Sequence, residues 1–346
     1  MTDDLARRAA PIIDAAVGTL GTACVLLVER RGERSTYAAG TLCPDERAGP
    51  DGPCTAGSLF DLASLTKLAT TALVLALVRE RALELATPLR LLVPDFRGGR
   101  KDEVTVGHVL THTGGIAWHV DLWRECRSAD EALWRAAQEP LAQDLGTFRY
   151  SDLGFLLLTA GLERVTGAPF ADALHARVVG QIDAGTLAFG PREPTACAAT
   201  EDDIVWRMRR LRGEVHDENA SLLGGIAGHA GLFGTAADVA ALARVFRDGA
   251  VVGNELARLA RREHARGDNA RRGLGLALRA PIDAMCGRHF SAEAWGHTGF
   301  TGTSLWVDPA SDLTVVLLTN RVYHGRTNDE PTWRFRVAVH EAVSDA

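Results

Sequence analysis

The stretch Phe60-Asp61-Leu62-Ala63-Ser64-Leu65-Thr66-Lys67 leads into a run, residues 68–78, with apolar residues on every side of a helix. A run of this kind predicts a helix over 64–81 that is enclosed by protein, because a surface helix keeps one polar face. The run is too short to span a membrane. We expect Ser64 at the helix N-terminus, where free amides and the dipole favour a developing anion, with Lys67 on the same face.

The two lysines of this chain are unusual because nearly every other basic residue is arginine. Of 38 basic residues only Lys67 and Lys101 are lysine. A lysine can release its proton when its pKa falls from about 10.4, whereas an arginine stays charged. A serine hydroxyl is a weak nucleophile that requires a neighbouring base. The pattern therefore predicts that Lys67, with a lowered pKa, activates Ser64; the alternative is a helix cap followed by a solvated lysine.

Two further segments carry groups that could act with this pair. The first is Tyr150-Ser151-Asp152, where a phenol near Lys67 could relay the serine proton, and two cations or donors around it would lower its pKa. Ser151 and Asp152 serve equally well as caps of a helix over 153–165. The second is Trp295-Gly296-His297-Thr298-Gly299-Phe300, which could lay its amides along a substrate carbonyl, although alone it would be a turn.

The ends of the chain predict strands and the middle predicts helices. Runs 23–28 and 36–39 indicate a hairpin, and runs 303–309 and 313–319 indicate two more strands before a terminal helix over 333–343. We therefore predict an α/β (α+β) fold, in which residues 1–62 and 270–346 form an antiparallel sheet flanked by helices. A mostly helical region, 63–269, is inserted, and the active site lies at the junction.

Taken together, these segments resemble the penicillin-recognising serine enzymes, which carry Ser-x-x-Lys, Tyr-x-Asn and Lys/His-Thr-Gly in this order. The similarity is greatest to the class C β-lactamase branch, which includes D-alanyl-D-alanine carboxypeptidases, D-aminopeptidases and esterases. Strings 109–115, 225–233 and 296–302 also look like that branch, and the resemblance spans about residues 10–343. It implies a β-lactamase/transpeptidase-like fold and a reaction that needs no metal or organic cofactor.

The resemblance also implies roles for individual residues. Ser64 would be the acylated nucleophile, Lys67 its base and Tyr150 the second acid/base. The amides of Ser64 and Phe300 would form the oxyanion hole, and Thr298 would contact the substrate. Gly299 belongs to the same binding segment.

Two residues depart from the family pattern. Asp152 stands where asparagine is usual, so an acceptor replaces an amide donor, and His297 stands where lysine is usual, so the cation is weaker at neutral pH. Both changes favour a carboxylic ester or small amide as substrate, because family members with this histidine are often esterases. The alternatives are a D-aminopeptidase, a D-Ala-D-Ala carboxypeptidase or a β-lactamase, and, in another class, an acyl-accepting penicillin-binding protein or pseudoenzyme with little turnover, which Asp152 suggests.

Several other polar residues have two interpretations. His216, within the polar stretch 215–220, could line the substrate pocket opposite Ser64 or belong to a capped turn, and His229 is equally open. Arg321 and Arg326 could hold a substrate carboxylate.

A histidine pair offers a metal-dependent alternative. His108 and His112 are spaced as two ligands on one helix face, with His119 close by, but this spacing is also common at an ordinary helix end.

Composition excludes some classes of partner. A net charge of -6 and dispersed arginines argue against nucleic acid, so a small molecule is the expected partner. There is no run of 18 apolar residues, and the N-terminus is acidic, so we expect neither membrane span nor export signal and a cytoplasmic location. Six cysteines without a CxxC pair fit free thiols in a reducing compartment. Nothing in the sequence indicates an oligomeric state.

Overall fold

The computed structural model describes residues 4–282 and 284–344. Its helices are Leu5–Arg8 (α1), Ala10–Ala16 (α2), Thr66–Arg79 (α3), Leu89–Leu92 (α4), Val106–Leu110 (α5), Leu122–Glu125 (α6), Ala129–Gln138 (α7), Asp152–Thr166 (α8), Phe170–Arg177 (α9), Glu218–Leu222 (α10), Ala236–Arg247 (α11), Asn254–Ala260 (α12) and Asp329–Ser344 (α13). Its strands are Ala23–Arg30 (β1), Glu33–Gly40 (β2), Phe60–Asp61 (β3), Ala188–Phe189 (β4), Asp202–Asp203 (β5), Arg209–Arg210 (β6), Leu232–Gly234 (β7), Ala265–Gly267 (β8), Ala270–Arg272 (β9), Ala277–Leu278 (β10), Trp295–Thr298 (β11), Ser304–Asp308 (β12) and Leu313–Thr319 (β13).

The main sheet joins the two ends of the chain. Its eight strands lie in the order β2-β1-β13-β12-β11-β10-β9-β8, and all pairings are antiparallel. Strand β1 pairs with β13, so that Cys24 lies opposite Thr319. The side chain of Asn320 accepts hydrogen bonds from the amides of Thr22 and Ala23, which fixes this junction. The predicted antiparallel sheet flanked by helices is thus confirmed.

Both faces of the sheet are covered. Successive side chains of a strand point to opposite faces. Val25 and Leu27 of β1 therefore pack in the core that contains α3, α8 and α11, whereas Leu26 and Val28 pack with residues of α1, α2 and α13. This burial explains why β1 is almost continuously apolar. The division into domains at residues 62 and 270 stays a prediction.

Helix α3 is the enclosed helix that its sequence predicts. Every residue from Thr66 to Leu77 is buried. The α-helix begins at Thr66 rather than at Ser64, because residues Ala63–Leu65 form a 3-10 turn before it. Within the described part of the chain, no helix combines the length and apolar character needed to cross a membrane.

Candidate active site

Ser64 lies in a tight turn between β3 and α3. Ala63, the residue before it, has φ of 46°, a left-handed conformation that L-residues adopt at a cost of about 1–2 kcal/mol. Asp61 holds the turn in place, because its buried carboxylate accepts the amide hydrogens of Ala63 at 2.8 Å and of His216 at 2.7 Å. Burial raises the pKa of Asp61. This role of Asp61, on which the strained turn depends, was not predicted from the sequence.

Ser64 meets both predicted partners. Lys67 Nζ donates a hydrogen bond to Ser64 Oγ at 2.9 Å, and Tyr150 Oη donates one to the same oxygen at 3.0 Å. Lys67 Nζ also donates to the carbonyl oxygen of His229 at 3.0 Å. A hydroxyl with an amine and a phenol within hydrogen-bond reach has the geometry of an activated nucleophile.

The protonation of Lys67 differs from the sequence-based expectation. Burial is the largest single influence and would lower the pKa of Lys67, but Asp152, whose Oδ1 lies 2.6 Å from Nζ, and Tyr150 together outweigh burial, so the pKa is raised. The Lys67 side chain is fully buried and that of Asp152 is 20% exposed. The expectation of a lowered pKa is therefore wrong: Lys67 and Asp152 form a buried ion pair.

Tyr150 is surrounded by rings and cations. Its ring centroid lies 4.5 Å from that of His112 and 6.2 Å from that of His297. Lys67 Nζ lies 5.1 Å from the same centroid, and the guanidinium carbon of Arg272 lies 5.6 Å from it. Burial raises the pKa of Tyr150, and Lys67 acts in the opposite direction. Neither the ring contact of His112 nor the place of Arg272 beside Tyr150 was predicted from the sequence.

The segment after β11 packs closely against the Ser64 turn. A Cβ on Gly299 would come within 2.6 Å of the Leu62 carbonyl oxygen, so only glycine permits this approach. Thr298, at the end of β11, is partly exposed. Phe300 is 43% exposed and lines the same cleft as Ser64.

His297 is buried beside Tyr150 rather than exposed in the cleft. It is 3% exposed, and its Nδ1 lies 2.8 Å from the Thr298 carbonyl oxygen. Burial, followed by the charges of Arg272 and Lys67, lowers the pKa of His297 to about 3. His297 is therefore neutral at physiological pH, which strengthens the expectation of a weak cation at this position.

A cleft of about 640 Å³ opens in front of Ser64. His216, predicted to line a pocket opposite Ser64, does line this cleft; its ring stacks on Phe300 with centroids 5.7 Å apart, and its Nε2 lies 2.9 Å from Glu201. Arg326 contacts both Glu201 and Glu218. The guanidinium of Arg326, a candidate for binding a substrate carboxylate, is therefore already paired with two carboxylates of the protein.

The remaining candidates have structural partners. His229 Nε2 lies 2.9 Å from Asp217, the N-cap residue of α10. Arg321 donates to the Phe300 carbonyl oxygen at 2.6 Å and so supports the cleft wall.

The histidine pair considered for a metal site has other bonds. His108 caps its own helix through Thr105, and Nδ1 of His112 accepts the amide hydrogen of Ser151 at 3.1 Å. Among residues 4–282 and 284–344 no group of three or more ligating side chains suits a metal ion.

An antiparallel sheet covered on both faces, with a Ser-x-x-Lys pair at the start of an enclosed helix, defines the class of β-lactamase-like hydrolases. The family model described as Beta-lactamase matches residues 10–338, and the chain belongs to this family.

Curated relatives differ in their substrates. An N-acetylmuramyl-L-alanine amidase of Bacillus subtilis (strain 168) is 30% identical over 300 residues, which are 76% of this chain and 68% of that protein. A putative D-alanyl-D-alanine carboxypeptidase of Escherichia coli (strain K12) is 28% identical over 305 residues, 77% of this chain and 70% of that protein. The family is shared, while the substrates named for its members vary.

Solved structures agree in fold. EstCE1, described as a hydrolase with promiscuous acyltransferase activity, has a TM-score of 0.81 at 22% identity, with 99% of this chain and 98% of that chain covered. A class C β-lactamase from Rhodobacter sphaeroides has a TM-score of 0.76 at 19% identity, with 99% of each chain covered. The predicted β-lactamase/transpeptidase-like fold is confirmed.

Proposed function

We propose that this protein is a serine hydrolase that forms an acyl-enzyme at Ser64 and acts on a carboxylic ester or a small amide. The observation that carries the proposal is the double contact of Ser64 Oγ, with Lys67 Nζ at 2.9 Å and Tyr150 Oη at 3.0 Å, at the wall of an open cleft. Family membership supports hydrolysis; the substrate is part of the proposal.

The reaction has two steps. Ser64 Oγ attacks the substrate carbonyl carbon and loses its proton, and the amides of Ser64 and Phe300 are proposed to stabilise the oxyanion. Because Asp152 favours the ammonium form of Lys67, we assign acceptance of the Ser64 proton to Tyr150 in its phenolate form. The phenol formed in this way then protonates the leaving alkoxide or amine as its bond to the acyl carbon breaks. Water then attacks the acyl-enzyme and releases the acid. This assignment replaces the sequence-based role of Lys67 as the base.

The charge of the cleft favours a substrate without a carboxylate. The neutral His297 offers no cation, and Arg326 is paired with two carboxylates. Part of the wall is apolar and exposed, with Trp118 56%, Ile204 71% and Val205 65% exposed. An apolar acyl group fits such a wall, because it would cover surface that is otherwise left in water.

The acidic lining favours a second candidate, a D-aminopeptidase. Seven carboxylates line the cleft against two arginines, namely Asp121, Asp152, Glu201, Asp202, Asp203, Asp217 and Glu218 against Arg124 and Arg326. Asp152, Asp202 and Asp203 are paired with Lys67, Arg47 and Arg207, which leaves four carboxylates against two arginines. This surplus of negative charge attracts a substrate with a free ammonium group. Faster hydrolysis of D-alanine p-nitroanilide than of its N-acetylated form would favour this candidate over a simple esterase.

The proposed function is tested with p-nitrophenyl acetate and nitrocefin, with intact-mass analysis of the protein. We expect turnover of the ester, a transient acetyl adduct, and neither in the Ser64→Ala variant. Ester turnover that persists in Ser64→Ala would refute the assignment of the nucleophile. A stoichiometric adduct that is not released would support the acyl-accepting protein instead, and loss of turnover with a chelator would support metal-dependent hydrolysis.

A further inference from the structure

Arg272 ends strand β9 with its guanidinium against the aromatic residues of the active site. Its guanidinium carbon lies 5.3 Å from the ring centroid of Phe148 and 5.6 Å from that of Tyr150. Strand β9 is held between β8 and β10, with Arg272 opposite Ala265 on one side and Ala277 on the other. The main-chain position of Arg272 is therefore fixed by the sheet rather than by a loop.

The charge of Arg272 has no opposite charge beside it. Within the described residues Arg272 forms no ion pair with a carboxylate, and its Nε is buried without a hydrogen-bond partner. Burial lowers the pKa of Arg272, yet an arginine remains charged at every physiological pH. Arg272 is half-buried, so its charge carries a desolvation cost that no carboxylate offsets.

The other ionisable groups that face Tyr150 do not supply a free positive charge. The charge of Lys67 is balanced by Asp152 at 2.6 Å. Burial, followed by the charge of Arg272, lowers the pKa of both His112 and His297, so these two rings are neutral. Among the described residues that face Tyr150, Arg272 is therefore the uncompensated cation.

We propose that Arg272 stabilises the phenolate form of Tyr150 and thereby enables Tyr150 to take the proton from Ser64. The inference rests on the proposed acylation of Ser64. The acting form of Tyr150 is the phenolate, whose own proton has first been released to water. In the acylation step the bond from Ser64 Oγ to the acyl carbon forms, the Oγ–H bond breaks and its proton moves to the phenolate oxygen. The bond from the acyl carbon to the leaving group then breaks, the proton passes from Tyr150 to the leaving group and the phenolate is restored, so that charge and protons balance. Arg272 touches neither substrate nor proton and is a positioning residue that acts through charge.

This role explains how the chain works with a histidine at position 297. A lysine there would bring a cation into the same surroundings of Tyr150, whereas the buried His297 is neutral. Arg272 brings a positive charge to Tyr150 from a different strand of the same sheet. The two positions are near neighbours across β10, since Ala277 pairs with both Arg272 and Gly296.

The kinetic test compares Arg272→Gln with Arg272→Lys across the pH range. We expect Arg272→Gln to slow acylation by p-nitrophenyl acetate about tenfold at neutral pH, since one lost charge at this range changes a pKa by about one unit. Its rate–pH profile moves to higher pH, and Arg272→Lys moves it back. The double variant Arg272→Gln/His297→Lys, which returns a cation from β11, also restores the profile.

The matched control is Arg266→Gln, which removes an exposed arginine of β8 that pairs with Glu263. It has the same change of net charge and leaves the profile in place. A lower rate in Arg272→Gln with an unmoved profile would mean that Arg272 only supports the structure, and would overturn the proposal.

A second readout does not depend on turnover. The chain has three tyrosines, so ¹³Cζ-tyrosine NMR with Tyr37→Phe and Tyr323→Phe variants assigns the Tyr150 signal. We expect Tyr150 to titrate at higher pH in Arg272→Gln than in the wild type. Identical titration, or a wild-type phenol that stays protonated up to about pH 11, would overturn the proposal. A displaced titration in a protein that never acquires an acyl adduct would instead count against the proposed function alone.

Discussion

Replacement of Asp152 by asparagine removes the ion pair with Lys67 and leaves the contact between Lys67 and the hydroxyl of Ser64 in place. Asp152→Asn keeps the shape of the side chain, removes the carboxylate 2.6 Å from Lys67 Nζ and restores the residue usual in the family. Without this carboxylate, burial, which is the largest influence on Lys67, is opposed by Tyr150 but no longer by Asp152, so the pKa of Lys67 falls. We therefore expect Lys67 to lose its proton more readily, so that it becomes the amine base that the Ser-x-x-Lys pattern implies.

The expected loss of stability follows from the burial of the pair. Breaking a buried ion pair costs about 3–5 kcal/mol when a charge stays unpaired. Lys67 can release its proton and keeps hydrogen bonds to Ser64 and to His229, so we expect the free energy of unfolding to fall by about 2 kcal/mol and Tm to fall by about 3 °C for a chain of 346 residues. Because the folded pKa of Lys67 is raised, the contribution of the pair is complete below the unfolded value of 10.5 and is lost as pH rises through the folded value.

Two measurements check this prediction. Thermal unfolding between about pH 6 and pH 9 gives the difference in stability, which stays constant over this window and shrinks at higher pH. The acylation rate of Asp152→Asn rises at lower pH than that of the wild type. The control is Asp172→Asn, the same change in the first turn of α9 at an exposed position. An unchanged Tm together with an unchanged rate profile would refute the ion-pair argument.

Three further changes test other parts of the structure. His216 and Arg326 outweigh burial and hold the pKa of Glu201 at about 2, so the free energy of unfolding of the wild type decreases as pH falls from about 4.5 towards 2. In urea unfolding we expect Glu201→Gln to make this pH dependence shallower. The same pH dependence in both proteins would contradict the argument. Gly275→Ala places a Cβ 1.9 Å from Thr71 Oγ1 at φ of +64°, so we expect the free energy of unfolding, measured by urea denaturation, to fall by at least about 2 kcal/mol. A decrease below about 0.5 kcal/mol would contradict this close packing. His297→Lys supplies a cation for carboxylate-bearing substrates, so we expect acylation by nitrocefin to gain about tenfold over p-nitrophenyl acetate, and no gain would show that the position does not reach the substrate.

The regular elements could be predicted because their patterns are local. Helix 153–165 is observed as Asp152–Thr166, and the strand 313–319 as Leu313–Thr319. The strands β8 to β10 were missed because they have two or three residues each and several arginines, and only their pairing with neighbours makes them strands.

Site residues could be predicted where their residue type is rare in the sequence, and could not where it is common. Two lysines and three tyrosines made Lys67 and Tyr150 conspicuous, and both contact Ser64. Arg272 is one of 36 arginines, and its place beside Tyr150 depends on the register of the sheet, which the sequence does not reveal. The raised pKa of Lys67 was likewise beyond prediction, because it depends on a distance of 2.6 Å to Asp152.

The pairing of β1 with β13 has a consequence for synthesis of the chain. Cys24 leaves the ribosome almost three hundred residues before Thr319, its neighbour in the sheet. Until then the inner edge of the first hairpin has unpaired amides and carbonyls beside a row of valines and leucines, a template for association with other chains. Nascent chains halted before Leu313 should therefore aggregate or recruit chaperones. We expect the fold to be completed only when strand β13 has left the ribosome, long after Ser64 has been translated.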